Sequence, residues 1–257
     1  MMFESVEYPK PWAVLWGATA LATGYLAVAL ARRIRGYARG ASLPPTAKAP
    51  PGRVARIWLA ETCAQRQLLQ LSGLRWCAHL CVFWGFAALT CLSAAHVGLQ
   101  LLESLALDGG RAAWFLRGEG RVFAKAWGNG FGLVLLAGLL LALLRRLSRQ
   151  SAPAGESRES DLPAVLMLLA LTLSGFLLEG LRHVFESAAP STAAALRPWL
   201  GVLWTFHGLG GVALVARFAN GPLVHALLAP LVIALNARSE HARKDLSWPD
   251  LRKHRAP

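Results

Sequence analysis

The chain is short of charge. Only 16% of its 257 residues are Asp, Glu, Lys or Arg, against about a quarter in an ordinary soluble domain. So few ionisable groups cannot keep a whole surface wet, which argues against a soluble enzyme, and a 55% hydrophobic content argues against a disordered chain. Cysteine is scarce too: Cys63, Cys77, Cys81 and Cys91 contain no C-x-x-C pair, so neither a zinc site nor a disulfide framework is indicated. Cys77 and Cys81 lie four apart on one helical face, where cysteine acts as a small hydrophobe. Ten-residue segments of alternating polarity are missing, which excludes a membrane β-barrel. Internal repeats are missing as well, which disfavours a transporter built from inverted halves. Acidic residues number 14 against 27 Lys and Arg, a net charge of +13. A basic excess can signal nucleic acid, but apolar runs such as FGLVLLAGLLLALL have no place in a nucleic-acid-binding domain.

What is present is a series of long apolar runs. A helix needs roughly 20 mostly apolar residues to cross a hydrocarbon core about 30 Å thick. Five segments qualify: Pro11–Ala31, Leu74–Leu102, Ala126–Leu144, Pro163–Leu181 and Trp199–Ala219, the last with an apolar continuation to Ala237. Backbone amides cannot go unpaired in lipid, so each span is expected to be α-helical. The second is longer than one crossing needs and should tilt or project. Pro163 opens the fourth span, where a helix tolerates proline best. With the N-terminus outside, the inside segments 32–75, 145–162 and 217–257 hold 20 basic residues and the outside segments 7. The positive-inside rule therefore puts the N-terminus outside and the C-terminus in the cytoplasm. The fold class expected is an all-α membrane protein with five transmembrane helices.

The first span does not read as a cleavable signal peptide, because Glu4 and Glu7 precede it and Arg32-Arg33-Ile34-Arg35 follows it. Residues 32–73 form a basic, proline-interrupted connector. Its end, RIWLAETCAQRQLLQLSGLRW, has apolar residues at helical spacing and is expected to lie along the cytoplasmic interface. Residues 1–238 thus make one membrane domain, and 239–257 a polar, basic cytoplasmic tail that either docks a partner or headgroups or is simply solvated.

Histidine placement is the informative feature. His241 and His254 lie in the tail, His79 and His96 on the second span, His207 and His225 on the fifth and its continuation, and His183 just past the fourth. An ionisable residue at membrane depth is expensive and marks function by default, although a single one can serve a helix–helix hydrogen bond. Four on two antiparallel spans are a different case. The pairs are separated by 17 and 18 residues, about 25 and 27 Å along a helix. His79 then shares a level with His225, and His96 with His207. Two such helices can hold two planar cofactors, and haem b is the one that takes two axial imidazoles for electron transfer. Neutral imidazole is a good ligand and a poor charge carrier, so ligation also removes the desolvation problem. Ala78 and Gly85 near His79, and Gly208, Gly210 and Gly211 after His207, are read as room for a macrocycle, with plain helix packing as the alternative. An 18-residue separation keeps His207 and His225 on one face of a straight helix, while 17 residues turn His96 away from His79. Pro222 is expected to kink the fifth span.

The motifs RWCAHLCVFWGF, LSGFLLEGLR and WTFHGLGGVALVARFANGPLVHALLAP resemble the cytochrome b (gamma) subunit family of respiratory nitrate reductase. They are closer still to the membrane subunits of heterodisulfide-reductase-like and dissimilatory sulfite-reductase-associated complexes. The most specific stretch is the last, with His207, His225 and Pro230 at the family's spacing. The resemblance implies two b haems, the inner one held by His79 and His225 and the outer one by His207. The family's second outer ligand lies ten residues after the first, where this chain has Leu89. His96 stands as the substitute, with His183 in reserve. The family's polar-basic turn before the second histidine reads Ala219-Asn220-Gly221-Pro222 here, leaving Arg75 or Arg217 to meet a propionate or merely to snorkel.

The resemblance further implies a multi-pass subunit of the bacterial cytoplasmic (inner) membrane that moves electrons between menaquinone, or another quinone, and a cytoplasmic iron-sulfur protein of heterodisulfide-reductase type. Other membrane-complex subunits and lipid are the further partners, and nucleic acid is not one. Glu179, Arg182 and His183 are the candidate quinone site, an interfacial helix cap being the ordinary alternative. The competing function is a haem-free membrane anchor or assembly subunit whose histidines hydrogen-bond between helices.

Overall fold

The computed structural model describes residues 12–40, 50–107, 109–148, 162–220 and 223–238. Among these the elements are all helical. Helix α1 runs Trp12–Gly40, α2 Pro51–Trp58, α3 Arg66–Leu71 and α4 Gly73–Ser104. They are followed by α5 Gly120–Ser148, α6 Leu162–Ser187, α7 Pro190–Asn220 and α8 Val224–Arg238, with π-helical turns at Leu59–Cys63 and Ala113–Arg117. Five of these helices (α1, α4, α5, α6 and α7) are long and apolar enough to cross a membrane. The protein is therefore an all-α membrane protein with five spanning helices, as the apolar runs predict.

The helices overrun the predicted spans at their ends. Helix α4 has 32 residues, about 48 Å at 1.5 Å per residue, well beyond a hydrocarbon core about 30 Å thick. Helix α7 begins at Pro190, nine residues before the apolar run, because the alanine-rich PSTAAALR is a good helix former with proline at its first position. Only residues 188–189 separate it from α6, so these two form a tight hairpin.

One expectation fails at the fifth span. The apolar continuation to Ala237 is not the same helix: α7 stops at Asn220 and a separate α8 starts at Val224. The predicted kink residue Pro222 lies outside the described residues, as do the tail 239–257, the part of the connector around 41–49 and the acidic Glu4 and Glu7. The helical ladder ends at Asn220 and resumes only at Val224. His207 and His225 therefore do not share one straight helical face.

Packing runs α4 on α5, α5 on α6, α6 on α7 and α7 on α1, while α8 packs on α2 and the adjoining π-turn. The core at the centre of the bundle is Leu135, Leu139, Leu168, Leu214 and Phe218. Helices α4 and α7 make no extended packing with one another. Their link is aromatic, the rings of Phe86 and Phe218 stacking with centroids 5.3 Å apart. Arg33 of α1 donates to the Ala219 carbonyl at 3.2 Å, satisfying an end of α7 that has no helical successor.

The connector folds back onto the start of α4 and onto α8. Its π-turn ends where Gln65 adopts a left-handed conformation (φ 48°), so the carbonyls of Cys63 and Ala64 lose their helical donors. Indole N–H groups replace them: Trp84 donates to Cys63 at 3.1 Å and Trp76 to Ala64 at 2.7 Å. Trp58 donates to the Pro230 carbonyl at 3.0 Å, tying α2 to α8. Losing one such bond costs at most about 1 kcal/mol. Trp76→Phe should therefore speed amide hydrogen exchange in the 59–65 turn by up to about fivefold and leave the five spanning helices unaffected.

Candidate functional site

Of the four predicted ligands, His79 and His225 are brought near each other, while His207 and His96 have different neighbours. His79 lies on the second turn of α4 and His225 at the second residue of α8. The two imidazoles are within electrostatic reach of each other, and neither is buried in side-chain packing. The break after α7 is what permits this, because α8 turns back against the connector rather than continuing the line of α7. His79 Nδ1 lies 2.7 Å from Gln65 Oε1. An amide oxygen only accepts, so Nδ1 carries the proton and Nε2 keeps its lone pair.

His207 is half-buried between α7 and α6, and its Nδ1 lies 2.9 Å from Ser174 Oγ. That hydroxyl donates to the Leu171 carbonyl at 3.0 Å, and the Leu171 backbone is a hydrogen-bond neighbour of the His207 ring as well, so acceptors stand ready for a proton on Nδ1. Gly175 makes the approach possible: a β-carbon there would stand 3.3 Å from His207 Cε1. His96 is exposed on α4, and its electrostatic neighbour is Arg182. Arg182 lies seven residues beyond Gly175 on α6, about 10 Å along the helix. The structure does not bring His96 and His207 together as a hydrogen-bonded pair, and His183 is exposed with its carbonyl accepting from Ser187 at 3.0 Å.

The arrangement fits a bis-imidazole group. Metal-bound histidine characteristically donates its other ring N–H to an acceptor that fixes tautomer and orientation, and both His79 and His207 do so. The helices carrying them are joined across the bundle by two phenylalanine rings rather than by close backbone packing. Most of the small residues read as haem room have other neighbours. A β-carbon on Gly85 would lie 2.7 Å from Leu135, one on Gly208 3.1 Å from Leu15 and one on Gly210 2.6 Å from Leu171, and the Ala78 carbonyl sits against Gly138. These positions serve helix packing; Gly211 alone among them faces open space.

The candidate quinone residues divide. Glu179 is bridged by Lys125 at 2.9 Å and Arg182 at 2.5 Å, and Glu186 by Arg121 at 2.6 Å and Arg182 at 3.9 Å. This lattice ties α5 to α6 at one end of the bundle; His183 makes no ion pair in it. Sequence reasoning misses Lys125, Arg121 and Glu186. The Glu179-Arg182-Glu186 spacing puts those three on one face, but nothing in the chain matches them to α5. Arg75 is half-buried near the start of α4 and Arg217 is exposed in the last turn of α7.

Five membrane-length helices define a multi-pass membrane protein, and comparison with known proteins gives the class, a membrane subunit of a redox complex. The model for the nitrate reductase gamma subunit family matches residues 58–237, and the chain belongs to that family. Helix α1 lies outside the match. Two relatives are subunits that bear the name dihydromethanophenazine:CoB–CoM heterodisulfide reductase. The one from Methanosarcina thermophila is 30% identical over 210 residues, covering 76% of this chain and 72% of that protein. The one from Methanosarcina barkeri is 28% identical over 199 residues, covering 73% and 68%. No solved structure matches the chain. Family and relatives indicate a cytochrome b-type membrane subunit of a redox complex.

Proposed function

We propose that the protein carries electrons between a membrane quinone and a cytoplasmic iron-sulfur partner, through b haems held by its histidines. The observation that carries this reading is that His79, its Nδ1 held 2.7 Å from Gln65 Oε1, lies within electrostatic reach of His225 on another helix. Haem bound there would supply one-electron chemistry, and its retention by two imidazoles would suit electron transfer. His79 and His225 hold the inner group, the side the basic-residue count assigns to the cytoplasm. His207 would hold the outer one, together with His96 or His183. The relatives' names couple dihydromethanophenazine to a heterodisulfide. By analogy this chain takes electrons from, or returns them to, menaquinone or a similar carrier in the bacterial cytoplasmic membrane, in company with a heterodisulfide-reductase-type iron-sulfur protein and other membrane subunits.

The test is a reduced-minus-oxidised visible spectrum of the purified full chain. A b-type α-band supports the reading; a flat difference spectrum favours the haem-free anchor. The quinone step is proposed at Glu179, Arg182 and His183. Glu179→Gln and His183→Ala should each slow menaquinol oxidation about tenfold or more, the usual scale for losing a positioned proton-transfer group, with both haem bands intact. Unchanged turnover in both variants would remove this site.

A further inference from the structure

The two Nδ1 acceptors sit on elements that have no obvious business near a histidine. Gln65 lies in the connector, 14 residues before His79. Its backbone occupies the left-handed region (φ 48°, ψ 46°), which costs a residue with a β-carbon about 1 kcal/mol or more and calls for a compensating interaction. That conformation closes the π-turn and brings the side chain back over α4. Ser174 is buried on α6, 33 residues before His207, with its own hydroxyl proton spent on the Leu171 carbonyl. Two histidines on different helices thus share one arrangement: Nδ1 within hydrogen-bond distance of a side-chain oxygen from another element, placed to accept its proton.

We infer that Gln65 and Ser174 are positioning residues that fix the tautomer and ring orientation of His79 and His207 and tune the electron-donor strength of each Nε2. The inference rests on the proposed haem ligation. An acceptor at Nδ1 pulls on its proton and makes the ring a better donor to iron, which favours the ferric form. Weakening the acceptor should raise a haem's midpoint potential, and strengthening it should lower it. Because Gln65 belongs to the connector, the inner group is then held from the cytoplasmic segment as well as from the bundle.

The experiment uses the full-length protein in four variants, with haem content, redox titration and low-spin electron paramagnetic resonance as readouts. Asparagine tolerates the left-handed conformation but is one methylene shorter, so Gln65→Asn preserves the turn and loses the reach. It is expected to raise the potential of one haem and alter its resonance while the other stays put. Gln65→Glu, which keeps the reach with a stronger acceptor, should move the same haem in the opposite direction. Ser174→Ala should raise only the other haem's potential, and Ser174→Thr, which retains a hydroxyl, should restore it. Loss of one haem from Gln65→Asn with recovery in Gln65→Glu supports the assignment equally. Haem-loaded Gln65→Asn and Ser174→Ala proteins with wild-type potentials and spectra overturn it and leave the haem reading standing. A wild-type chain that binds no haem overturns both.

Discussion

In the His225→Ala variant, roughly half of the haem absorbance is expected to vanish while the remainder keeps its band shape, since one of two bis-imidazole sites loses an axial ligand. The same outcome is expected of His79→Ala, because the two imidazoles, one on α4 and one on α8, lie within electrostatic reach of each other. The double variant should lose no more than either single one, for a site already emptied has nothing further to give. His207→Ala should remove the complementary half. It leaves Ser174 with an unoccupied acceptor, a local cost of about 1 kcal/mol that does not reach the His79 end. Haem quantified per chain after purification in mild detergent reads all four results. Full absorbance in His225→Ala would refute the inner pairing; separately, the His96→Ala and His183→Ala proteins decide which residue joins His207 at the outer site: whichever, like His207→Ala, loses the outer band is that residue.

The inner pairing also shows what a sequence can and cannot disclose. The five spans were legible because lipid forces every backbone group into a helix, which leaves run length as the main variable. The amphipathic connector was legible from its periodicity, and α2, the π-turn and α3 occupy it. Matching His79 with His225 rested on counting residues along two opposed helices. That arithmetic assumed a continuous fifth helix, and α7 in fact stops at Asn220. His225 is brought within electrostatic reach of His79 through α8 docking on α2 and on the connector, a contact between segments about 170 residues apart that no local pattern encodes; the Trp58 to Pro230 bond is one instance. Gln65 was equally hidden. Its role depends on one left-handed residue, and glutamine carries no strong signal for that conformation. Ser174 and Gly175 fell inside a motif quoted for its resemblance, yet their use, one as acceptor and one as space for the His207 ring, needs a neighbouring helix to become visible.

Glycine gave the opposite kind of error, and its correction sets up a second large effect. Periodicity says which face of a helix a glycine occupies but not what lies opposite. Gly85 of α4 faces α5: a β-carbon there would come within 2.7–2.8 Å of the Leu135 N, Cα and Cβ atoms. Across the same interface a β-carbon on Gly138 of α5 would meet Cys81 Cβ and Val82 N at 2.8 Å and the Ala78 carbonyl at 2.9 Å. Backbone atoms cannot swing aside as a side-chain tip can, so Gly85→Val or Gly138→Val must push the two helices apart. Overpacking of this kind costs about 1–3 kcal/mol, and loss of close van der Waals contact along two of the longest helices adds to it. The melting temperature of the detergent-solubilised protein should fall by several degrees in either variant. The two substitutions should be less than additive together, because the first already opens the space the second needs. Gly138→Val should do more than destabilise: it displaces Ala78, the residue before His79, and so is expected to lower occupancy of the inner haem. Gly211, where an added β-carbon would meet nothing within 4 Å, is the control, and Gly211→Ala should leave the haem content unchanged and should not lower the melting temperature. If Gly85→Val and Gly138→Val melt like the unsubstituted protein, α4 and α5 do not approach each other backbone to backbone, and the placement of His79 that depends on that approach fails as well.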